Sequence, residues 1–314
     1  MSERAVADQD RVRRFVVEDE AVRGQVVRLA TTWTALREHA HYPEPVRRLL
    51  GEAISACVLL ASTLKFQGSL TLQLEAAGAV RLLVAQCTDD FRVRGVARFD
   101  AARVAPSFDE LVGAGRIVVT VESGESGSRY QGIVAIDGGS LAASLEHYFA
   151  NSEQMPTCVR LAADDAMAGG LLIQRLPQEG GSRDASPGAG SQHDEQRRIS
   201  SAQQTWDSAH EELQALDAAE LLLRSTEDLV LRCFGARDVR LFQGAPVRFE
   251  CRCNPERVIA ILRSLGEQEV REVLAEQGSV TVTCEFCHRP YRFDPIDVRQ
   301  LFAPPTAPGS DRIN

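Results

Sequence analysis

The chain has 314 residues, 44% of them hydrophobic and 25% charged, an ordinary globular composition with length for two or three domains. A net charge of −9 and a pI near 5.3 leave no broad basic footprint to neutralise phosphates, so a nucleic-acid partner is disfavoured. Of the 35 basic residues only Lys65 is a lysine. The start, Met1 to Gln9, carries Glu3, Arg4 and Asp8 and has no apolar run, so it does not read as a secretory signal. The most apolar window, Leu49 to Leu64, contains Gly51, Glu52, Ser55 and Ser62 and is too short to span a bilayer. The expectation is a cytoplasmic protein with no membrane partner.

Residues 12 to 30, rich in valine, predict one or two strands with Gly24 as a bulge or bend. Thr31 or Thr32 is placed to cap a short helix through about Ala40. Pro43 and Pro45 interrupt the chain before a longer helix from Val46 to Leu64, whose stripe is Leu49, Leu50, Ala53, Cys57, Leu60 and Leu64. Cys57 on that face reads as a buried, inert thiol. From Ser69 the period changes to two: LTLQLEA, VRLLVAQC and FRVRGVARF predict an antiparallel meander with one wet face. A short helix over Phe108 to Val112, strands over Gly115 to Glu122 and Gln131 to Ile136, a helix over Leu141 to Ala150 and the strand LLIQRL complete a mixed domain with helices packed on one face.

This first domain offers no catalytic chemistry: there is no glycine-rich phosphate loop, no nucleophile elbow and no pair of histidines at metal spacing. His39, His41 and His147 read as surface or boundary residues. No catalytic residue is assigned and no enzyme activity is expected. At Pro177 the composition shifts. QEGGSRDASPGAGSQHDEQRR has no large apolar side chain and cannot offset its chain entropy by burial, so it reads as a flexible linker. Between Glu179 and Asp228 there are eleven acidic residues and four arginines, a balance of −7 against −9 for the whole chain, so most of the acidity lies in this hinge. Beyond it Ile199, Trp206, Leu213, Leu216, Leu221, Leu222 and Leu223 return at loose helical spacing. Such a helix is poorly stable alone and must dock on something.

The last part is organised around Cys251-Arg252-Cys253 and Cys284-Glu285-Phe286-Cys287. Two close cysteine pairs separated by a short folded segment build one tetrahedral four-thiolate zinc site, each pair supplying one edge. Cys-x-Cys has one residue fewer than the usual structural knuckle. The same four sulfurs read as a zinc site, as a redox switch, or as both. In a reducing compartment such a cluster is metal-bound or redox-active rather than a set of structural disulfides. Around the pairs, Thr226 to Phe234 reads as a helix in which Cys233 is packed, VRLF and VRFEC as strands, and Asn254-Pro255 as the cap of a helix striped by Val258, Ile259, Leu262 and Leu265. A second helix stops at Gly278, the strand SVTVTC brings Cys284 back, and a helix from Pro295 to Phe302 closes the domain. His288 is a fifth candidate ligand, unneeded where four cysteines fill a tetrahedron. So small a core depends on its metal.

The residues are similar to those of the heat-shock protein 33 family of redox-regulated bacterial chaperones. The resemblance rests on Val22-Arg-Gly-Gln-Val, His41-Tyr-Pro-Glu-Pro-Val, Thr63-Leu-Lys-Phe, Arg94-Gly-Val-Ala-Arg, Tyr130-Gln-Gly, Tyr148-Phe and Ser152-Glu-Gln-Met-Pro-Thr, in this order ahead of the two cysteine pairs. The Gly/Ser/Pro-rich insertion around 180 to 192 departs from the family pattern. The expected architecture is α+β, with a chaperone core over 1–177, a partly helical linker over 178–231 and a small four-cysteine zinc domain over 232–314.

The resemblance implies an ATP-independent holdase that is inactive when reduced and holds one zinc ion per chain through Cys251, Cys253, Cys284 and Cys287. It further implies that an oxidant pairs Cys251 with Cys253 and Cys284 with Cys287, releases the metal, and unfolds switch and linker to expose surface for unfolded client proteins. A homodimer in the oxidised state and ATP-dependent refolding chaperones downstream are the other partners implied. Two readings compete with it. One is a constitutive zinc-ribbon adaptor with a purely structural site. The other is a thiol-disulfide oxidoreductase, against which stands the lack of a thioredoxin-like strand-to-helix setting. Cys57, Cys87, Cys158 and Cys233 are extra thiols, expected to be mostly buried.

Overall fold

The computed structural model describes residues 8–18, 20–38, 40–124, 128–137, 139–177, 192–235 and 237–303, with the side chains of 192–199 excepted. His39, residues 1–7 and residues 178–191 of the 178–198 stretch read as a flexible linker lie outside the described residues, while 192–198 of that stretch are helical, a correction to the flexible reading. The chain divides into two compact units, 1–250 and 251–314.

In chain order the first unit contains β1 (Arg11–Val17), β2 (Val22–Leu29), α1 (Thr31–Arg37), α2 (Glu44–Thr63), β3 (Gly68–Ala76), β4 (Val80–Thr88), β5 (Arg92–Phe99), α3 (Phe108–Val112), β6 (Gly115–Ser123), β7 (Arg129–Ala135), α4 (Leu141–Asn151), β8 (Thr157–Ala163) and β9 (Ala168–Arg175). There follow α5 (Gln192–Ala215), α6 (Ala218–Leu223), α7 (Thr226–Phe234), β10 (Val239–Leu241), β11 (Ala245–Pro246) and β12 (Arg248–Phe249). One sheet has the order β10-β1-β2-β9-β8, with β11 also on β1; the other has the order β12-β5-β4-β3-β6-β7. Every pairing is antiparallel except that of β12 with β5. The architecture is α+β.

Helix α2 runs between the two sheets. Pro43 at its N-cap and Pro45 in its first turn fit positions where a missing N–H costs nothing. Its side chains from Ala53 to Ser62 are all buried, so the single stripe expected from the sequence is in fact a full circumference, and Leu64, expected on that stripe, is exposed at the C-cap. One face of the first sheet joins this core through Val12, Val27, Leu29, Val159 and Leu172. The opposite face presents Phe15, Val17, Val22, Val26, Leu171 and Ile173 to Trp206, Leu213, Leu221, Leu222, Leu229 and Phe234 of α5 to α7. The apolar face foreseen for those helices is therefore docked.

Two local readings are corrected, and one strand has no counterpart among them. Gly24 sits in an unbroken ladder opposite Phe15 and forms no bulge. A Cβ there would lie 2.1 Å from Phe15 Cζ, so glycine makes room for a ring that packs edge-on against Phe234 at 5.5 Å. Helix α1 is capped by neither threonine. The Asp10 carboxylate accepts from the N–H groups of Ala30, Thr31 and Thr32 at 3.1, 3.0 and 2.8 Å, a tertiary contact satisfying the orphan donors. Strand β8, buried on both faces, carries no alternation by which to find it.

The compact division falls after Glu250, so residues 239–249 pack with the first unit. The physical reason is strand pairing: Leu241 pairs with Phe15 and Val239 with Val17, while Arg248 pairs with Arg92. Asp90, Arg92, Arg248 and Glu250 alternate in charge at this exit, with Arg92 to Glu250 at 2.8 Å and Arg248 to Asp90 at 3.3 Å.

The second unit contains α8 (Pro255–Leu265), α9 (Glu267–Gln277), β13 (Val280–Thr283), β14 (Pro290–Phe293) and α10 (Pro295–Leu301). Asn254 caps α8, its side chain accepting from Arg257 N–H at 2.8 Å. Gly278, at φ 72°, ends α9 in the left-handed conformation that glycine adopts without strain. Val258, Leu262, Val270, Val280, Tyr291, Phe293, Val298 and Leu301 form its core. Eight side chains make a small core for an independent unit.

Candidate metal centre

Cys251 and Cys253 lie between β12 and the cap of α8, on a stretch without regular structure. Cys284 and Cys287 lie in the turn of the β13–β14 hairpin, beyond its last pair, Thr283 with Pro290. That turn is closed by Cys284 N–H donating to Arg289 O at 3.0 Å and His288 N–H donating to Cys284 O at 2.8 Å, with His288 at φ 50°. Two local loops thus present two thiols each.

The four Sγ atoms lie within 4.8 Å of one another. Across the pairs, Cys251 Sγ is 3.6 Å from Cys284 Sγ, and Cys253 Sγ is 3.4 Å from Cys287 Sγ. Zinc–sulfur bonds of about 2.3 Å in a tetrahedron set the sulfurs roughly 3.8 Å apart, so the donor set fits a zinc-sized soft cation in number, chemistry and spacing. All eight cysteines are free thiols, and these four are half-buried. Among the described residues this is the one group of three or more His, Cys, Asp or Glu side chains close enough to share a metal, and His288 lies outside it.

The electrostatics are uneven. Burial raises the Cys253 pKa, but donation from the Tyr291 hydroxyl, at 3.1 Å, and from the neighbouring thiols outweighs it and holds the group down at about 7. Tyr291 in turn is raised to about 12, first by that hydrogen bond. Burial pushes Cys251 and Cys287 up. Cys253 is thus the sulfur whose surroundings most favour the thiolate, and a bound dication would favour it further at every ligand. Sequence reasoning passed over Tyr291. Its signal was the Tyr-x-Phe alternation just after the second pair, which aims Tyr291 and Phe293 to the same face as the core.

The remaining thiols stand apart from this group. Cys57 on α2 and Cys233 on α7 are each pushed up to about 12 by burial, and Cys87 and Cys158 are also raised, burial again first. They are protonated and covered, in keeping with the expectation for Cys57 and Cys233. His41 is exposed, and His147, also exposed, places Nδ1 3.2 Å from Asp137 Oδ2. No helix of the described residues is long and apolar enough to cross a membrane.

Fold and site together define an α+β protein with docked helices on one sheet and a separate small unit carrying a four-thiol, metal-type cluster. The sequence profile of the Hsp33 protein family matches residues 10–294. The chain is 38% identical to the 33 kDa chaperonin of Methylobacillus flagellatus, over 96% of this chain and 98% of that protein. It is 40% identical to the 33 kDa chaperonin of Ectopseudomonas mendocina, over 92% and 94%. The crystal structure of the 33 kDa chaperonin, a heat shock protein 33 homologue, from Thermotoga maritima superposes with a TM-score of 0.75 at 22% identity, covering 93% of this chain and 97% of that one. The chain belongs to the Hsp33 family.

Proposed function

We propose that this protein is a redox-regulated, ATP-independent holdase of the cytoplasm, with a chaperone core over 1–177, a linker over 178–231 and a switch domain over 232–314. The observation that carries the reading is the convergence of Cys251, Cys253, Cys284 and Cys287 within 4.8 Å in a unit with so small a core of its own. In the reduced state these thiolates hold one zinc ion, which supplies the charge that keeps them deprotonated and ties two loops together.

Oxidation removes the ligands. Two thiolates give up two electrons and form one disulfide; a peroxide accepts the electrons and, with two protons, leaves as two waters. The pairing is Cys251 with Cys253 and Cys284 with Cys287. Two short-range disulfides no longer tie one loop to the other, and the unit loses its cross-link. Helices α5 to α7, docked through Trp206, Leu213 and Leu222, are the bistable element: once released, they and the sheet face beneath them offer apolar surface to unfolding clients. Homodimerisation of the oxidised form and hand-over of clients to ATP-dependent chaperones belong to the same reading.

The test is metal release followed by a chromogenic chelator during peroxide treatment at mild heat. Release of one zinc per chain, reversed by thiol reductant and added zinc, is expected. Zinc that stays bound through the same peroxide treatment would favour a constitutive adaptor with a structural site.

A further inference from the structure

A cleft of about 720 Å³ opens in the first unit where α2 ends, between β1 and the turn joining β4 to β5. It adjoins a smaller recess of about 280 Å³ with which it shares Arg14, Ser62, Leu64 and Lys65. Arg14 and Lys65 are exposed, and neither makes an ion pair among the described residues. Arg23 lines the smaller recess and donates only to the neutral Gln174 Oε1, at 3.0 and 2.8 Å. No carboxylate lines that recess, and only Asp89 lines the larger. Three cations thus converge with little compensation.

A second observation points the same way. Gln25, 2% exposed on the α2 side of β2, lines the smaller recess with Oε1 buried and without a hydrogen-bond partner. A buried amide oxygen left bare is a cost that a bound donor would remove. Phe66 and Phe91 on the wall of the larger cleft give an organic group something to pack on. At the end of α2 the Ser62 and Thr63 hydroxyls donate to Leu59 O and Leu60 O, both at 2.7 Å, which offsets part of the partial negative charge a helix C-terminus carries.

We propose that this cleft binds a small phosphorylated molecule, its phosphate held by Arg14, Arg23 and Lys65 and a hydroxyl or amine of its organic part donating to Gln25. Arginine matches phosphate oxygens in a fork and lysine adds a point charge. Arg14, Arg23, Gln25 and Lys65 are remote in sequence from the four thiols, and the proposal does not rest on the redox reading.

Lys65 is the chain's sole lysine, which gives a direct readout. The reduced full-length protein is acetylated with an amine-selective ester and the Lys65 peptide is quantified against the N-terminal peptide. Pyrophosphate is expected to slow Lys65 acetylation at least roughly tenfold, leaving the α-amino rate unchanged, and to bind Arg14→Ala and Lys65→Ala roughly 10- to 100-fold more weakly by calorimetry. Both side chains are exposed, so both variants fold. The proposal is overturned if pyrophosphate leaves Lys65 unprotected, the cations then serving only the end of α2. It is equally overturned if citrate at matched ionic strength protects as well, or if Arg14→Ala keeps full affinity.

Discussion

Nε of Arg160, on the face of β8 turned toward α5, donates to the main-chain carbonyl of Leu213 at 2.9 Å. The same guanidinium reaches Gln214 O and, at 3.4 Å, Leu216 O, while Arg28 on β2 donates to Leu222 O at 2.7 Å and to Arg224 O. These carbonyls are at the ends of α5 and α6, where a helix leaves its last acceptors unpaired and carries partial negative charge. Two arginines of the sheet thus clamp the ends of two docked helices.

Arg160→Ala is expected to weaken docking of α5 by about 1–3 kcal/mol, the range for hydrogen bonds from a charged donor. Hydrogen exchange at the amides of 205–216 should speed up, with those of β3 to β6 unchanged. Equal protection in the variant would mean that the apolar contacts alone hold the helix.

Cys251→Ser and Cys284→Ser are expected to lower zinc content and destabilise the second unit, whereas Cys57→Ser, buried in α2 away from the group, leaves zinc stoichiometry as it is. Metal analysis and chelator titration check this. One zinc per chain held at normal affinity by Cys251→Ser would contradict the ligand assignment.

Tyr291→Phe removes the hydroxyl that donates to Cys253 Sγ at 3.1 Å and leaves the packing in place. With that donor gone the Cys253 pKa rises from about 7, and the thiolate fraction at neutral pH falls. In the zinc-loaded protein the pH at which acid displaces the metal should shift upward. An unmoved displacement pH would show that the hydroxyl does not act on the sulfur.

Hydrogen bonds from Arg92, above all, hold the Asp90 carboxyl down at about 2, against an ordinary value of 3.8. A depressed carboxylate contributes stability that is complete above its unfolded pKa and is lost as pH falls through the folded one. The tie between β12 and the β4–β5 turn should therefore loosen between about pH 4 and pH 2. Asp90→Asn should lose that part of the acid dependence, measured as thermal midpoint at pH 6 and pH 3.

Much of this was written locally in the chain. The alternation in LTLQLEA and VRLLVAQC marked β3 and β4 because one face of their sheet is wet, and each cysteine pair lies within one short loop, so its spacing alone exposed the site. β8 escaped because both of its faces are covered and the period vanishes. Asp10 as the cap of α1, Arg160 on Leu213 O and Tyr291 on Cys253 depend on tertiary contacts over tens of residues, which no local window contains. VRLF was legible as a strand, but its place beside β1, with Val239 opposite Val17 and Leu241 opposite Phe15, was not.

The central claim is that oxidation of the four thiols turns on client binding, and light scattering from a thermally aggregating client tests it most directly. The reduced, zinc-loaded chain should leave aggregation unchanged; the peroxide-treated chain should suppress it, and thiol reductant with zinc should restore the first state. Suppression by the reduced chain equal to that by the oxidised one, or none by either, would contradict the account.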